Sequence, residues 1–185
     1  MAVAASSPFN EKYKTTMVHA IVHTDLPPSE KTFERIFEEV ATVTRAAFET
    51  TTNVLRLIFY HVYINKKVLA CLREELATVP VDYSLKQLEQ LPYLTAVITE
   101  GMRLSPAVAS RAARITDKDL FYEGWRILAG TPVGMTTLLM HTDELLYPDP
   151  MRFDPDRWLA SRTRASATTT YSPFSKGTRV CPGMQ

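Results

Sequence analysis

Cysteine is scarce here: the 185-residue chain holds two, Cys71 and Cys181. One pair cannot build a cross-linked scaffold, so a reducing compartment is the default. Charge of one sign is scarce as well. Twenty-one Lys and Arg stand against 20 Asp and Glu, a net charge of +1, without a long run of either sign. That balance leaves no electrostatic footprint for nucleic acid. No secretory leader is recognisable, because MAVAASSPF has neither a charged first segment nor a continuous apolar one. The most apolar run, Val54 to Ile64, is interrupted by Arg56 and His61 and is too short to span a bilayer. No internal repeat is visible. As written, the sequence reads as soluble or at most peripheral.

What is present is ordinary globular composition, 45% hydrophobic and 22% charged, in a length that suits one domain. Residues 11–24 suggest a short helix ended by Pro27-Pro28, with Ser29 as the N-cap of the next. Phe33, Ile36, Phe37, Val40 and Val43 recur at helical spacing, and the pattern continues through Val54, Leu57 and Ile58. This predicts a helix of about 30 residues, longer than usual. A second helix is expected from about Asn65 to Leu76. Ser84 and Gln87 form a capping-box pattern. Pro92 suits the first turn of a third helix, closed by Ser105-Pro106. Beyond Ala109 the character changes: RAARIT, GWRILAG and TPVGMTT are short β-like runs separated by turn residues. LLYPDPMRFDPDRW is irregular through its prolines, and SRTRASATTT is a polar loop. The expected fold class is mainly α with a small β region, an α+β arrangement.

Cys181 lies in FSKGTRVCPG, near the C-terminal end of the sequence. Four roles compete. A disulfide with Cys71 is disfavoured, since Cys71 sits on the apolar side of the helical stretch VLACLREEL. A zinc site needs about four N or S ligands, and no CxxC or CxH is present. His19 and His23, at i, i+4, are ordinary surface residues more often than a metal pair. A nucleophile wants a base, and no histidine is near in sequence. A buried, inert thiol is the bland option. The neighbours argue against it. Gly177 and Gly183 allow close backbone approach to something flat. Arg179 offers a charge for a carboxylate. Pro182-Gly183 reads as a turn whose N–H groups stabilise a thiolate.

That constellation resembles the Phe-x-x-Gly-x-Arg-x-Cys-x-Gly signature of the cytochrome P450 family, the haem-thiolate monooxygenases. Every fixed position is filled, by Phe174, Gly177, Arg179, Cys181 and Gly183. Glu100-Gly-Met-Arg103 and Phe153-Asp-Pro155-Asp-Arg157-Trp158 resemble two further family motifs in order and spacing. The resemblance implies that Glu100, Arg103 and Arg157 form a buried structural ion network beneath the haem. Ala46-Ala47-Phe48-Glu49-Thr50-Thr51 resembles the oxygen-activation motif, with Ala47 where glycine is usual. The threonine run is also a poor helix interior, which points to a functional groove. Arg114 matches a second propionate-binding arginine, with Arg111 as its competitor. DLPPSEKTFERIFEEV and EGMRLSP look like fungal members, and the resemblance runs from about Thr16 to Gln185.

By that resemblance Cys181 is the axial ligand of haem b iron, pushing electron density toward O–O cleavage. Phe174, Gly177, Arg179, Gly183 and Arg114 complete the cofactor site. Thr50, helped by Glu49, delivers protons during oxygen activation. Electrons come from NADPH through a flavoprotein reductase. The substrate is a small hydrophobic organic molecule, in secondary metabolism by the fungal likeness, and the full-length family sits at the endoplasmic reticulum membrane. The family's domain is well over twice this length. Residues 1–185 are therefore expected to be a single partial domain, from the long oxygen-activation helix to the cysteine loop, lacking the N-terminal half and the C-terminal end. Two functional readings follow: a haem-thiolate monooxygenase, or an inactive remnant or interaction fragment without haem. The chain alone is expected to be unstable, to retain little haem and to lack activity.

Overall fold

A computed structural model of the chain describes residues 16–105, 109–159 and 170–184. The chain divides into two compact units, residues 1–51 and 52–185. In the first, helix α1 (Met17–His23) starts where the Thr16 hydroxyl accepts the His19 N–H at 3.2 Å. It ends where the Thr24 hydroxyl donates to the Ile21 carbonyl at 2.8 Å. Residues 11–15, the start of the helix expected from sequence, lie outside the described residues.

Ser29 does not cap the long helix. Pro28 opens a 3₁₀ turn over Pro28–Lys31 that takes up Ser29, and helix α2 begins only at Phe33. Thr32 does the capping: it is extended, and its hydroxyl accepts the Arg35 N–H at 3.3 Å. Helix α2 (Phe33–Ile64) is 32 residues long, in line with the apolar periodicity, and the division between the units falls within it. Phe33, Phe37 and Phe48 are largely exposed.

In the second unit each helix start has its own cap. Asn65 opens α3 (Lys66–Leu76) by accepting the N–H groups of Lys67 and Val68 at 3.1 and 3.3 Å. At α4 (Leu85–Glu89), Gln87 Oε1 accepts from the Ser84 N–H at 2.8 Å and from its hydroxyl at 2.9 Å. Helix α5 (Pro92–Leu104) has proline in its first turn. Its first N–H groups, on Tyr93 and Leu94, donate to the Glu75 carboxylate of α3, both at 2.7 Å. A carboxylate satisfying orphan donors at the positive end of a helix is doubly favourable.

These helices bury one main core: Ile58 and Val62 of α2, Val68 of α3, Tyr93 and Val97 of α5, and Phe153. Burial pushes the Tyr93 hydroxyl up to about 12. A smaller cluster joins Ala96, Tyr147, Trp158 and Tyr171. At Gly101 the Ile58 side chain of α2 packs directly against α5. A Cβ there would lie 2.1 Å from Ile58 Cγ1. Gly101→Ala therefore sets a helix-propensity gain of up to about 1 kcal/mol against an overpacking cost of about 1–3 kcal/mol. Overpacking wins, and a lowered urea midpoint is the expected result; an unchanged or raised midpoint would show that Ile58 gives way freely.

The β region is smaller than the sequence runs suggest. Strands β1 (Leu120–Tyr122) and β2 (Trp125–Ile127) form an antiparallel hairpin, Leu120 opposite Ile127 and Tyr122 opposite Trp125. Its two-residue turn places Glu123 and Gly124 at φ 47° and 84°, the left-handed pair such a turn requires. Of the three expected β runs, only GWRILAG supplies a strand, and its partner is LFY. RAARIT and TPVGMTT meet through one isolated bridge, Arg114 to Val133. TPVGMTT then passes into helix α6 (Thr137–His141), capped by the Thr136 hydroxyl accepting the Leu138 N–H at 3.3 Å. A tight turn brings two strands together at small entropic cost, whereas RAARIT and TPVGMTT must close across the whole hairpin. LLYPDPMRFDPDRW is irregular apart from a 3₁₀ turn at Pro155–Trp158. Most of SRTRASATTT lies outside the described residues.

Candidate functional site

The second unit is organised around one carboxylate. Glu100 and Arg103, both fully buried, sit one turn apart on α5. Arg103 engages Glu100 in a fork: its Nε donates to Oε2 at 2.9 Å and its Nη2 to Oε1 at 2.8 Å. Trp158 Nε1 also donates to Oε2, at 2.8 Å, and the Asp154 backbone N–H to Oε1 at 3.0 Å. Arg157 Nε stands 3.5 Å from Oε1, an ion pair beyond hydrogen-bond geometry. Its other nitrogens donate to the carbonyls of Pro148 at 2.8 Å and Asp149 at 3.3 Å.

Arg103 is saturated from its far side. Nη1 donates to the His141 carbonyl at 2.6 Å, Nη2 reaches the Arg152 carbonyl at 3.4 Å, and the guanidinium lies 5.1 Å from the Tyr147 ring centroid. A buried pair offsets its desolvation only when its remaining donors and acceptors are met in this way. The network thus gathers α5, the loop after α6 and the 3₁₀ turn at Pro155–Trp158 around one point.

Sequence reasoning placed Glu100, Arg103 and Arg157 in one network but assigned nothing to Trp158 or His141. Trp158 stands in the quoted motif, and an indole buried beside charged residues needs an acceptor for its N–H. His141 is 1% exposed, and burial lowers it below the ordinary imidazole range. Its Nε2 accepts the Ser172 backbone N–H at 3.1 Å. His61 stacks on Phe153 at 4.6 Å; burial lowers it too, while the Glu100 charge acts in the opposite direction.

The cysteine loop is built from local turns. The Ser175 N–H donates to the Ser172 carbonyl at 3.0 Å, with Ser175 at φ 68°. A 3₁₀ turn at Gly177–Arg179 follows, opened by Gly177 at φ 80°. The Cys181 N–H donates across the loop to the Phe174 carbonyl at 2.9 Å, which closes the segment. Cys181 is a free, exposed thiol and Arg179 is exposed beside it, while Phe174 is half-buried. A Cβ on Gly177 would meet nothing within 4 Å, so its need is conformational. A Cβ on Gly183 would meet only the Cys181 sulfur, at 3.7 Å. The Met184 N–H donates to the Cys181 carbonyl at 3.3 Å, not to the sulfur.

Arg114 is pinned by its backbone, whose N–H and carbonyl both bond to Val133, at 2.7 and 2.9 Å. Its side chain is exposed, as is that of Arg111. In the first unit Glu49 is exposed and Thr50 half-buried. The Thr50 hydroxyl donates to the Ala46 carbonyl one turn earlier, at 2.7 Å, and the chain stays α-helical through the threonine run.

Comparison with known proteins adds independent findings. The profile of the family described as Cytochrome P450 matches residues 10–185. The chain is 41% identical over 177 residues to the cytochrome P450 monooxygenase oblB of Emericella variicolor, covering 92% of this chain and 32% of that protein. It is 42% identical to the tryptophan 6-hydroxylase fscE of Fusarium equiseti, covering 92% of this chain and 34% of the relative. Among solved structures, the retinoic acid-bound cyanobacterial CYP120A1 superposes with a TM-score of 0.73 at 25% identity, over 82% of this chain and 35% of that one. The chain therefore spans about a third of the length of these relatives. No helix among the described residues is long and apolar enough to cross a membrane.

Proposed function

Because this chain belongs to the cytochrome P450 family, we propose that it contributes the haem-binding segment of a haem-thiolate monooxygenase, in which the Cys181 sulfur would hold the iron. The observation that carries this reading is the loop itself: a free, exposed thiol on a segment closed by the Cys181 N–H to Phe174 carbonyl bond. The donor set fits an iron porphyrin. A soft sulfur suits the iron, and Arg179 suits a propionate.

When bound, the haem supplies the activation of dioxygen, with electrons passed from NADPH by a flavoprotein reductase, and one oxygen atom enters a small hydrophobic substrate. The rest falls to the chain. Arg179 and Arg114, with Arg111 as the alternative to Arg114, neutralise carboxylates at the rim. Glu100, Arg103, Arg157 and Trp158 hold α5 and the 3₁₀ turn at Pro155–Trp158 as one rigid body. Thr50 already donates its hydroxyl proton to Ala46. Its oxygen is thus set to accept a hydrogen bond, and it must break the Ala46 bond to release a proton elsewhere, with Glu49 as the exposed group that resupplies it. The fungal relatives support a place in secondary metabolism, and the family supports an endoplasmic reticulum location.

The carbon monoxide spectrum of the reduced, haem-loaded protein, with this chain in a full-length family domain, tests the reading: a red-shifted, thiolate-type band is expected, and a full-length domain that takes up no haem would leave only a non-catalytic role. Thr50→Ala in the completed enzyme tests proton delivery. Haem content should stay unchanged while NADPH consumption turns from product to peroxide, a shift on the order of tenfold or more for the loss of a positioned proton donor. Unchanged coupling would remove Thr50 from the proton path.

A further inference from the structure

His141 ends α6 and is bonded both to the ion network and to the entrance of the cysteine loop. Its carbonyl receives Arg103 at 2.6 Å, inside the ion network. Its ring receives the Ser172 N–H at 3.1 Å, at the entrance to the cysteine loop. Both residues are buried, His141 at 1% and Ser172 at 6% exposure. A backbone N–H can only donate, so Nε2 carries a lone pair and the ring proton is on Nδ1. The ring is held in that orientation by Tyr171, stacked at 5.6 Å, and by Tyr147, edge-on at 6.2 Å.

From Ser172 the hydrogen bonds run on to the sulfur's own residue. The Ser172 carbonyl accepts from Ser175, and the Phe174 carbonyl accepts from Cys181. The Ser172 peptide is therefore held at both ends, two residues before the carbonyl that anchors Cys181. A histidine buried only for packing would need no acceptor aimed at this backbone.

We infer that His141 is a positioning residue for the cysteine loop: its unprotonated Nε2 holds the Ser172 N–H and so fixes where the segment carrying Cys181 begins. The inference rests on the haem-thiolate reading of Cys181. It carries a pH dependence of definite sign. The groups facing the ring are Arg103 from α5, Tyr147 from the loop after α6 and Tyr171 from the segment leading into the cysteine loop. Glu100 is already engaged by Arg103. Burial is the largest influence and disfavours an imidazolium, as does the Arg103 charge; a hydrogen bond with the Arg103 backbone favours it, and the balance holds the ring below its ordinary value. The stabilisation is complete above that ordinary value and is lost as the pH falls through the lowered one, when a released ring takes up a proton that the held ring cannot. A protonated Nε2 would set one N–H against another.

The test compares native, His141→Gln and His141→Phe forms of the full-length domain, haem-loaded, by the thiolate-type fraction of the carbon monoxide spectrum across pH and by hydrogen exchange of the Ser172 amide. Gln offers an amide oxygen in place of Nε2 and does not titrate. It should keep the thiolate-type band at neutral pH and move the acidic loss of that band to lower pH. Phe offers no acceptor: Ser172 exchange should rise on the order of tenfold or more, as expected when a buried donor loses its partner, and the thiolate-type fraction should fall already at neutral pH. If all three proteins share one acid transition and one Ser172 exchange rate, the inference is wrong. Should the Phe protein fail to fold, the Gln protein decides alone, an unmoved acid transition overturning the proposal. Cys181→Ser separates the two readings. If that protein keeps the thiolate-type band, the ligand assignment fails, and Ser172 exchange still judges His141.

Discussion

In the full-length domain, Cys181→Ser should abolish the thiolate-type carbon monoxide spectrum and leave a haem, where any is retained, with the spectrum of a neutral or exchangeable ligand. A serine hydroxyl is a hard, weakly acidic oxygen and does not ionise near neutral pH as a thiol can, so it cannot donate electron density to iron as a thiolate does. The loop itself should survive the change, because the bond that closes it runs from the Cys181 backbone N–H to Phe174 and does not involve the sulfur. The loss is therefore expected to be nearly complete in spectrum and turnover with little change in the stability of the protein without haem. Serine protein that kept the red-shifted band would assign the ligand elsewhere.

The largest expected effect on folding is at Arg103. Arg103→Ala would remove both bonds of the fork to Glu100 and strand the His141 carbonyl, all of them away from water. Trp158 and Asp154 would still donate to the carboxylate, and Arg157 would remain 3.5 Å away. None of these replaces the lost fork. Breaking a buried pair from one side costs about 3–5 kcal/mol, against a total stability of about 5–15 kcal/mol for a typical domain. The expected outcome is a large drop in the urea midpoint and in the yield of folded, haem-loaded protein. The exposed pair Arg35–Glu39, at 2.7 Å, is the internal control: its removal should cost only a few tenths of a kcal/mol. A stable Arg103→Ala protein altered only in turnover would show that the network acts in catalysis and not in folding.

Features set by neighbours within a few residues are legible in the sequence, and those set by distant partners are not. Helix α2 followed from the spacing of Phe33, Ile36, Phe37 and Val40, and the α5 start from Pro92. The pairing of Ser84 with Gln87 was visible for the same reason, since its atoms lie within one turn. The i, i+3 spacing of Glu100 and Arg103 allowed a shared helix face, but their burial in one network with Arg157 was implied only by the family resemblance. Ser29 misled because a residue suited to capping was read without the turn that Pro28 imposes on it. The β runs misled because β propensity marks residues that suit a strand and does not name the partner.

By itself, then, the sequence determined the longer helices, the Ser84–Gln87 cap, the order of the motifs and the residue types of the cysteine loop. All of these rest on spacings of a few residues, where chain geometry leaves few choices. Only the tertiary structure decided that Trp158, 58 residues from Glu100, would complete its carboxylate, and that His141 would bridge Arg103 to Ser172. Those partners are selected by burial. A polar group withdrawn from water must take whichever donor or acceptor the packed core brings within reach, and that choice depends on how α5, α6 and the loops meet.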